Sequence, residues 1–289
     1  MPKLLAGKNG VLALKVSKMT SYPICYYQMF RYPDGELYFR LTSDVEGEDV
    51  IIFNSLYPDP EKAIFEIALM SDALVNANAS SINCVIPYFA YSRSQNRMHG
   101  EALPISVINR ILKSSGIRKV YTVDFHIQKN VFDFELQNIT AMRDLGKYFA
   151  EKFGKKVNLI APDENAVFWA EEFAKEVDCK DIIVLRKMKL DIESFVLEPM
   201  NIKIGKAAVI VDDIVNSGAT VVQDAKIAKK EGCEKIYVAC THAILSDDAL
   251  QRIFAVGVEG MIATDTILSP VSYVSVAKNI ADAIIKDFS

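Results

Sequence analysis

Residues 209–221 read VIVDDIVNSGATV. An apolar run leads into two adjacent aspartates, a short polar turn with one glycine follows, and a second apolar run begins after it. An apolar run of this length that is bounded by a turn predicts a buried strand, here 207–211, and the residues after the glycine predict a helix over 219–230. A buried strand that passes through a turn into a helix is the repeating unit of an α/β fold.

The same alternation of short apolar runs and longer amphipathic stretches continues along the chain. Strands are predicted at 50–53, 82–86, 119–123, 157–160, 182–185, 207–211, 235–239 and 260–264. Helices are predicted at 61–77, 104–114, 142–153, 164–177, 219–230, 247–254 and 276–288. This order predicts an α/β fold of two domains, each a mostly parallel sheet flanked by helices. We place the boundary near Ala141, which divides the chain into residues 1–141 and 142–289.

Composition excludes several classes of function. The chain has 289 residues, 51% of them hydrophobic and 24% charged, and a net charge of −4, so neither a nucleic-acid-binding nor a membrane-surface protein is expected. No run approaches the ~18 apolar residues of a membrane span, and no signal peptide is recognised. Five scattered cysteines without metal-type spacing predict reduced thiols in a cytoplasmic protein.

The acidic pair Asp212 and Asp213 is predicted to lie at the carboxyl end of its strand, where open α/β sheets bind ligands. The turn that follows consists of five small residues, Asn216, Ser217, Gly218, Ala219 and Thr220. A helix N-terminus suits a phosphate, and the two carboxylates suit sugar hydroxyls or Mg²⁺. The pattern therefore predicts a site for ribose 5-phosphate. An ordinary helix cap would explain Ser217 or Thr220, but not the paired aspartates.

This stretch resembles the phosphoribosyl-diphosphate (PRPP) binding loop of the phosphoribosyltransferase fold. Further motifs resemble those of one family with that fold, the ribose-phosphate diphosphokinases or PRPP synthases. In chain order they are RYPDGE (31–36), VIPYFAYSRS (85–94), VYTVDFH (120–126), APDENA (161–166), CTHAILS (240–246) and TDTI (264–267). Because the matches span nearly the whole chain, the resemblance implies two phosphoribosyltransferase-like domains and a diphosphokinase activity.

In the reaction that this resemblance implies, the anomeric hydroxyl of ribose 5-phosphate attacks the β-phosphorus of ATP and AMP leaves. Arg93 and Arg97 would bind the ATP phosphates. His126 would lie at the Mg²⁺–ATP site, and Asp163 would help to hold the metal, directly or through water. Such a transfer depends on alignment and charge neutralisation more than on covalent help.

The resemblance also implies roles for two further segments. Lys187 and Lys189 fall where the family has a mobile catalytic loop, and they would stabilise charge on the transferred diphosphate together with Arg93 and His126. Tyr32 would stack on adenine, and Asp34 and Glu36 would contact its edge. In the family this last segment reaches the ATP site of a neighbouring subunit. The resemblance therefore implies a homo-oligomer, a dimer or a hexamer, with a shared ATP site.

Each of these residues also has an ordinary structural interpretation. The alternative interpretation of His126 is a buried core histidine, and that of Asp163 is the N-cap of the helix after it. The two lysines are typical of a solvated charged loop. Tyr32 beside a proline fits simple turn packing. His242, in the THA stretch after a strand, is interpreted equally as a site residue or as a turn residue.

The sequence departs from the family pattern at 94–96 (SQN), at Asn165 and Ala166, and at Lys189, where the family has arginine. These departures leave three interpretations open. The chain is a PRPP synthase, or a diphosphokinase for a larger ribosyl acceptor such as ADP-ribose in NAD metabolism, or an inactive regulatory homologue. The retained acidic pair, the turn, His126, Asp163 and the two lysines argue against inactivity.

Overall fold

The computed structural model describes residues 1–92, 98–126, 132–179, 181–185, 187–189, 195–197 and 204–289, with the backbone alone at 187–189 and 195–197. The chain divides into two compact units. Unit 1 contains residues 1–139 and 276–289, and unit 2 contains residues 140–275.

Unit 1 is built on a five-stranded parallel sheet and a separate hairpin. Its elements up to residue 139 are β1 (Lys3–Ala6), α1 (Gly10–Thr20), β2 (Tyr27–Arg31), β3 (Leu37–Leu41), β4 (Asp49–Phe53), α2 (Pro60–Asn76), β5 (Ser81–Ile86), α3 (Pro104–Ser114), β6 (Lys119–Val123) and β7 (Glu135–Ile139). The sheet order is β1-β4-β5-β6-β7, and β2 pairs antiparallel with β3. The central strands are buried almost throughout because helices cover a parallel sheet on its faces.

Unit 2 is built on a six-stranded parallel sheet. Its elements are α4 (Met142–Phe153), β8 (Asn158–Ala161), a 3₁₀ turn (Glu164–Ala166), α5 (Val167–Ala174), β9 (Ile182–Val184), β10 (Lys187–Lys189), β11 (Phe195–Leu197), β12 (Ala207–Val215), α6 (Ala219–Lys230), β13 (Lys235–Ala243), α7 (Ala249–Ala255), β14 (Gly260–Thr264) and β15 (Ser272–Val274). The sheet order is β15-β14-β13-β12-β8-β9, and β10 pairs antiparallel with β11.

Alternate side chains of β12 enter two different cores, which shows that helices cover both faces of this sheet. Val209 and Val211 pack with residues of α4 and α5, including Trp169. Ala208 and Ile210 pack with residues of α6 and α7. A strand that is buried on both faces needs an unbroken apolar sequence, which is why the run before the aspartates predicted the presence and the start of this strand.

The last helix, α8 (Ala277–Phe288), belongs to unit 1, which corrects the assignment of all residues after Ala141 to the second domain. Asp287 accepts hydrogen bonds from Lys119 at 2.6 Å and from the Tyr121 hydroxyl at 2.5 Å. Lys119 also pairs with Glu135 at 2.6 Å. Although burial alone raises the pKa of Asp287, the bonds from Lys119 and Tyr121 hold it below its usual range. We call this group the α8 tether.

The predicted α/β class with parallel sheets flanked by helices is confirmed, and several elements were missed. The prediction omitted β1, α1, β7, β15 and both hairpins. Helices α2 and α3 were predicted from their amphipathic spacing, and the structure shows that each begins at a proline. None of the helices in the described part of the chain is both long enough and apolar enough to cross a membrane.

Candidate functional site

The acidic pair lies on β12 itself. The strand was predicted to end at residue 211, but it continues to Val215, and its pairing with β13 continues through Asp212 and Ile214. Asp213 is buried, and Asp212 is half-buried. The two carboxyl groups lie close to each other, since both the charge of Asp213 and a side-chain hydrogen bond with it act on Asp212.

The strand order of unit 2 reverses beside this pair. The chain passes from β8 to β9 on one side, then returns to place β12 on the other side of β8. Open α/β sheets bind ligands in the crevice at such a reversal, beyond the carboxyl ends of the strands. Asp163 follows the end of β8, and Asp212 and Asp213 lie towards the end of β12. The topology therefore brings all three predicted carboxylates to one crevice.

The electrostatics of Asp212 reflect this crowding. Burial, followed by the neighbouring charge of Asp213 and a smaller contribution from Asp163, raises the pKa of Asp212 well above its usual range. The backbone N–H of Asp213 donates a 2.9 Å hydrogen bond to the Asp212 carboxylate, which opposes the rise only in part. A cation or a hydroxyl donor bound here would relieve this repulsion.

The turn after β12 ends in a helix N-terminus. Gly218 is the N-cap of α6 and has a φ of +72°, in the left-handed region that glycine adopts without strain. A Cβ at this position would lie 3.0 Å from Ile253 Cδ1 and 3.4 Å from the Ala249 carbonyl oxygen. Glycine is thus required both by the backbone conformation and by the close approach of α7.

The other turn residues are more open. Ser217, Ala219 and Thr220 are exposed, and Asn216 is half-buried. The first backbone N–H groups of a helix have no partner within the helix, and α6 is 12 residues long. The exposed end of α6 therefore suits an anion.

Helix α7 and the segment before it hold this turn in place. Arg252 Nη2 donates to the Ser217 carbonyl oxygen at 2.9 Å, and Arg252 Nε lies 3.1 Å from Asp248 Oδ1. The backbone N–H of Ser246 donates to the Asn216 carbonyl oxygen at 3.2 Å. Sequence reasoning missed Arg252, although its spacing four residues after Asp248 on a helix is a recognisable ion-pair signal.

Asp163 acts as an N-cap. Its Oδ1 accepts the backbone N–H groups of Asn165 at 2.8 Å and Ala166 at 3.2 Å. The side chain is exposed. These bonds use one carboxylate oxygen, so capping and cation binding are compatible.

His242, on β13, lies in a buried hydrogen-bonded network. Its Nδ1 lies 2.9 Å from the Thr266 hydroxyl. The hydroxyls of Thr264 and Thr266 both donate to the Thr241 carbonyl oxygen, at 2.7 and 3.1 Å. The TDTI and CTHAILS stretches thus join the ends of β13 and β14, and His242 is a buried histidine with a hydrogen-bond partner rather than an exposed group.

In unit 1, His126 follows the end of β6 and is half-buried. The turn before it is fixed by Asn138, which accepts the Phe125 N–H at 2.9 Å and donates to the Phe125 carbonyl oxygen at 3.3 Å. Asp124 is buried and has a φ of +41°. A positive φ outside glycine is uncommon, and it is more frequent at functional sites.

The predicted adenine-contacting residues lie at the tip of the β2–β3 hairpin. Tyr32, Asp34 and Glu36 are all exposed. Tyr32 belongs to an aromatic cluster in which Phe30 and Tyr38 stack with ring centroids 4.7 Å apart. Asp34 Oδ1 accepts the Glu36 N–H at 3.0 Å, and this bond shapes the turn. The exposed aromatic rings remain available to a flat ligand.

Several predicted site residues lie outside the described residues. Arg93 and Arg97 fall in the gap at 93–97. Lys187 and Lys189 are described only by their backbone, which forms β10 rather than the predicted loop. Within the described parts of the chain, no three His, Cys, Asp and Glu side chains are grouped so as to hold a metal ion by themselves.

Unit 2 thus combines a helix end that suits an anion with a set of carboxylates. The helix end offers N–H donors and a positive partial charge. The carboxylates offer acceptors to hydroxyl groups, or ligands to a hard cation such as Mg²⁺, which commonly uses one or two carboxylates and completes its shell with water and phosphate. The arrangement suits a small phosphorylated molecule with neighbouring hydroxyls.

Comparisons with known proteins agree with this chemistry. Residues 3–116 match a family model described as the N-terminal domain of ribose phosphate pyrophosphokinase, and residues 188–284 match one described as a phosphoribosyl synthetase-associated domain. Ribose-phosphate pyrophosphokinase 1 of Archaeoglobus fulgidus is 49% identical over 97% of this chain and 99% of that protein. A ribose-phosphate pyrophosphokinase of Methanothermobacter thermautotrophicus is 34% identical over 96% of both chains.

A solved structure is similar over almost the full length. It is the crystal structure of phosphoribosylpyrophosphate synthetase from Mycobacterium smegmatis, with a TM-score of 0.87 and 25% sequence identity. The similarity covers 99% of this chain and 98% of that one.

Proposed function

The chain belongs to the ribose-phosphate pyrophosphokinase family, and we propose that it transfers the β,γ-diphosphate of ATP to the 1-hydroxyl of ribose 5-phosphate and releases AMP. The observation that carries the proposal is the glycine-capped N-terminus of α6 directly after the acidic pair on β12. This arrangement supplies both an anion site and hydroxyl acceptors, the two features that a sugar phosphate requires.

We assign the binding of the acceptor to unit 2. The N–H groups at residues 218–220 bind the 5-phosphate, and Asp212 and Asp213 accept hydrogen bonds from the ribose hydroxyls. A ribose that is fixed at both ends has a single orientation, which holds its 1-hydroxyl in a defined place. Fixing the reacting group in this way lowers the entropic part of the barrier.

ATP binding is assigned to the residues named by the family resemblance. Arg93 and Arg97 bind the phosphates, and His126 lies near the metal-bearing phosphate groups. Lys187 and Lys189 stabilise charge on the transferred diphosphate.

The proposed reaction requires Mg²⁺. The residues present suit this ion because Asp163 retains a carboxylate oxygen free of the N-cap bonds and because the repulsion around Asp212 favours a cation. When bound, the ion neutralises phosphate charge as the diphosphate is transferred. In unit 2, we propose Asp163 as a residue that holds this ion together with water and ATP, and in unit 1 we propose His126 as a residue that contacts the metal-bearing phosphates.

A homo-oligomer is part of the proposal. The tip of the β2–β3 hairpin exposes Phe30 and Tyr32, at 48% and 45% of their full accessibility. We propose that the hairpin of one copy reaches the ATP site of another, in a dimer or a hexamer, with Tyr32 stacked on adenine and Asp34 and Glu36 at its edge. A protein that is monomeric by light scattering and fully active in the AMP-release assay would contradict this assignment.

The test is an acceptor panel. The protein is incubated with Mg²⁺ and ATP and with ribose 5-phosphate, ADP-ribose, ribose or no acceptor, and AMP is quantified by chromatography. Of these four samples, we expect AMP release only in the one that contains ribose 5-phosphate. The Asp212→Asn/Asp213→Asn double variant serves as the control for the site. Turnover with ADP-ribose but not with ribose 5-phosphate would show that the acceptor is ADP-ribose. The absence of turnover with every acceptor would indicate a regulatory homologue.

A further inference from the structure

We propose that Arg252 is a positioning residue that holds the Ser217–Gly218 peptide in the orientation needed to bind a phosphate. The inference rests on the proposed function only in that the turn at 216–220 is taken to bind a phosphate. Arg252 lies on α7, outside the turn, and acts through the carbonyl group of Ser217.

The geometry fixes the guanidinium at two points. Nη2 donates to the Ser217 carbonyl oxygen at 2.9 Å, and Nε faces Asp248 Oδ1 at 3.1 Å. Asp248 lies one helical turn before Arg252, so the ion pair keeps the arginine side chain directed along α7. A planar guanidinium that is held at Nε presents its Nη groups in a defined direction.

The carbonyl and N–H of one peptide unit point in opposite directions because the peptide is planar and trans. The bond that turns the Ser217 carbonyl towards Arg252 therefore turns the Gly218 N–H away from Arg252. That N–H is one of the donors at the N-terminus of α6. Arg252 thus controls a phosphate-binding donor that it does not touch.

The glycine at position 218 explains why the hydrogen bond from Arg252 is needed to fix the orientation of this peptide. Glycine populates positive and negative φ about equally, so a flip of the peptide before it meets little local resistance. In the flipped state, the Ser217 carbonyl oxygen would point where the N–H now points, and an oxygen dipole would repel the anion. The close approach of α7, with Ile253 3.0 Å from the position of a Cβ on residue 218, excludes a side chain that would otherwise restrict φ.

The neighbouring backbone bonds restrain the turn on either side of this peptide. The Ser246 N–H donates to the Asn216 carbonyl oxygen at 3.2 Å, and the Val222 N–H donates to the Gly218 carbonyl oxygen at 2.9 Å. The bond from Arg252 acts on the peptide between them. Its loss is therefore expected to change the orientation of one peptide without unfolding the turn.

The experiment compares Arg252→Ala, Arg252→Lys and the control Lys226→Ala, a charge removal on the exposed face of α6. The first readout is the Gly218 amide signal in ¹H–¹⁵N spectra during titration with inorganic phosphate. The second is the KM for ribose 5-phosphate against kcat. Both are measured at low salt and in 0.5 M KCl, because salt screens an exposed charge but leaves peptide orientation unchanged.

For Arg252→Ala we expect a shifted Gly218 amide signal in the free protein and a KM for ribose 5-phosphate raised about 10- to 100-fold, the scale of one hydrogen bond to a charged group. The kcat and the KM for ATP should change less than about 3-fold, since these reflect other contacts. Arg252→Lys should recover most of the loss because lysine also donates to a carbonyl, and Lys226→Ala should match the wild type.

An Arg252→Ala protein with an unchanged Gly218 signal and a KM within about 2-fold of the wild type would overturn the inference. A KM defect that disappears in 0.5 M KCl would also overturn it, since the arginine would then act only as a screened charge. If no acceptor yields AMP, the proposed reaction fails, but the phosphate titration still decides the role of Arg252. If Arg252→Ala does not fold, Arg252→Lys is compared with the wild type instead, and it must then show a smaller shift of the Gly218 amide signal.

Discussion

Replacing Gly218 by alanine tests whether the turn between β12 and α6 depends on its backbone conformation and on its packing against α7. The residue has a φ of +72°, and an added Cβ would lie 3.0 Å from Ile253 Cδ1 and 3.1 Å from Ile253 Cγ1. The left-handed conformation costs an alanine about 1–2 kcal/mol. Forced repacking against α7 adds roughly 1–3 kcal/mol. We therefore expect a total destabilisation of about 2–5 kcal/mol.

Gly232 offers a matched control at the other end of α6. Its φ is +89°, and nothing lies within 4 Å of an added Cβ. Gly232→Ala thus carries the conformational cost of about 1–2 kcal/mol without the packing cost. The difference between the two variants isolates the contact of residue 218 with α7.

The assay combines thermal unfolding with ribose 5-phosphate binding by calorimetry. We expect Gly218→Ala to have the lower Tm of the two variants and to lose most of its affinity, because repacking displaces the N–H groups that bind the phosphate. Gly232→Ala should bind as the wild type does. Equal Tm values for the two variants, or wild-type affinity in Gly218→Ala, would refute the reasoning.

Further variants test separate parts of the account. The double variant Asp212→Asn/Asp213→Asn should weaken ribose 5-phosphate binding in calorimetry by about 1–3 kcal/mol per lost acceptor. Wild-type affinity would show that the two aspartates do not bind the sugar. The raised pKa of Asp212 means that this carboxyl group binds a proton more tightly in the folded state than in the unfolded chain. The protein therefore loses stability as the pH rises above the ordinary carboxyl pKa. Asp212→Asn alone should accordingly raise the Tm of the free protein at pH 8. Lys187→Ala should lower kcat roughly 10²- to 10³-fold with little change in ATP affinity. Near-normal turnover would show that Lys187 takes no part in the transfer. Asp287→Ala, which breaks the α8 tether, should cost about 1–3 kcal/mol in denaturant unfolding at pH 7, while Asp282→Ala on the exposed face of α8 should cost no more than about 0.5 kcal/mol. The lowered pKa of Asp287 means that its contribution is present above the ordinary carboxyl pKa and is lost as the pH falls through the lowered value, so the two variants should converge in acid.

The parts of the fold that were predicted from the sequence are those with a strong local signal. Strands such as β6 and β12 are buried on both faces, and their apolar runs are visible without any tertiary information. The β2–β3 hairpin depends on antiparallel pairing between half-exposed strands, where the apolar signal is weak. The tip of the β2–β3 hairpin nevertheless contains Asp34-Gly35, a pair that favours hairpins and was overlooked.

The C-terminal helix illustrates a limit of local reasoning. Its amphipathic spacing predicted the helix, but its place in unit 1 is stabilised by the α8 tether, a contact between residues 119 and 287. Such a pairing of distant residues has no signature in sequence spacing. The domain assignment therefore failed only for this last segment.

The candidate site was predicted where motif and topology coincide. The acidic pair and the turn at 216–220 were recognisable because a strand, a turn and a helix occur in the required order. Arg252 was missed because its hydrogen bond to the Ser217 carbonyl depends on the approach of α7 to Gly218, which only the structure reveals. His242 was ambiguous in sequence, and its hydrogen bond to Thr266 joins β13 to the segment after β14, two parts of the chain that are separated by a helix.

The most direct test of the central claim is phosphorus NMR of the reaction mixture of wild-type protein, ATP, ribose 5-phosphate and Mg²⁺. We predict that the β- and γ-phosphorus signals of ATP are replaced by those of a diphosphate ester on the sugar, that AMP appears in equal amount, and that chelation of the metal stops the reaction. The appearance of ADP with a sugar that carries one new phosphate would contradict the account.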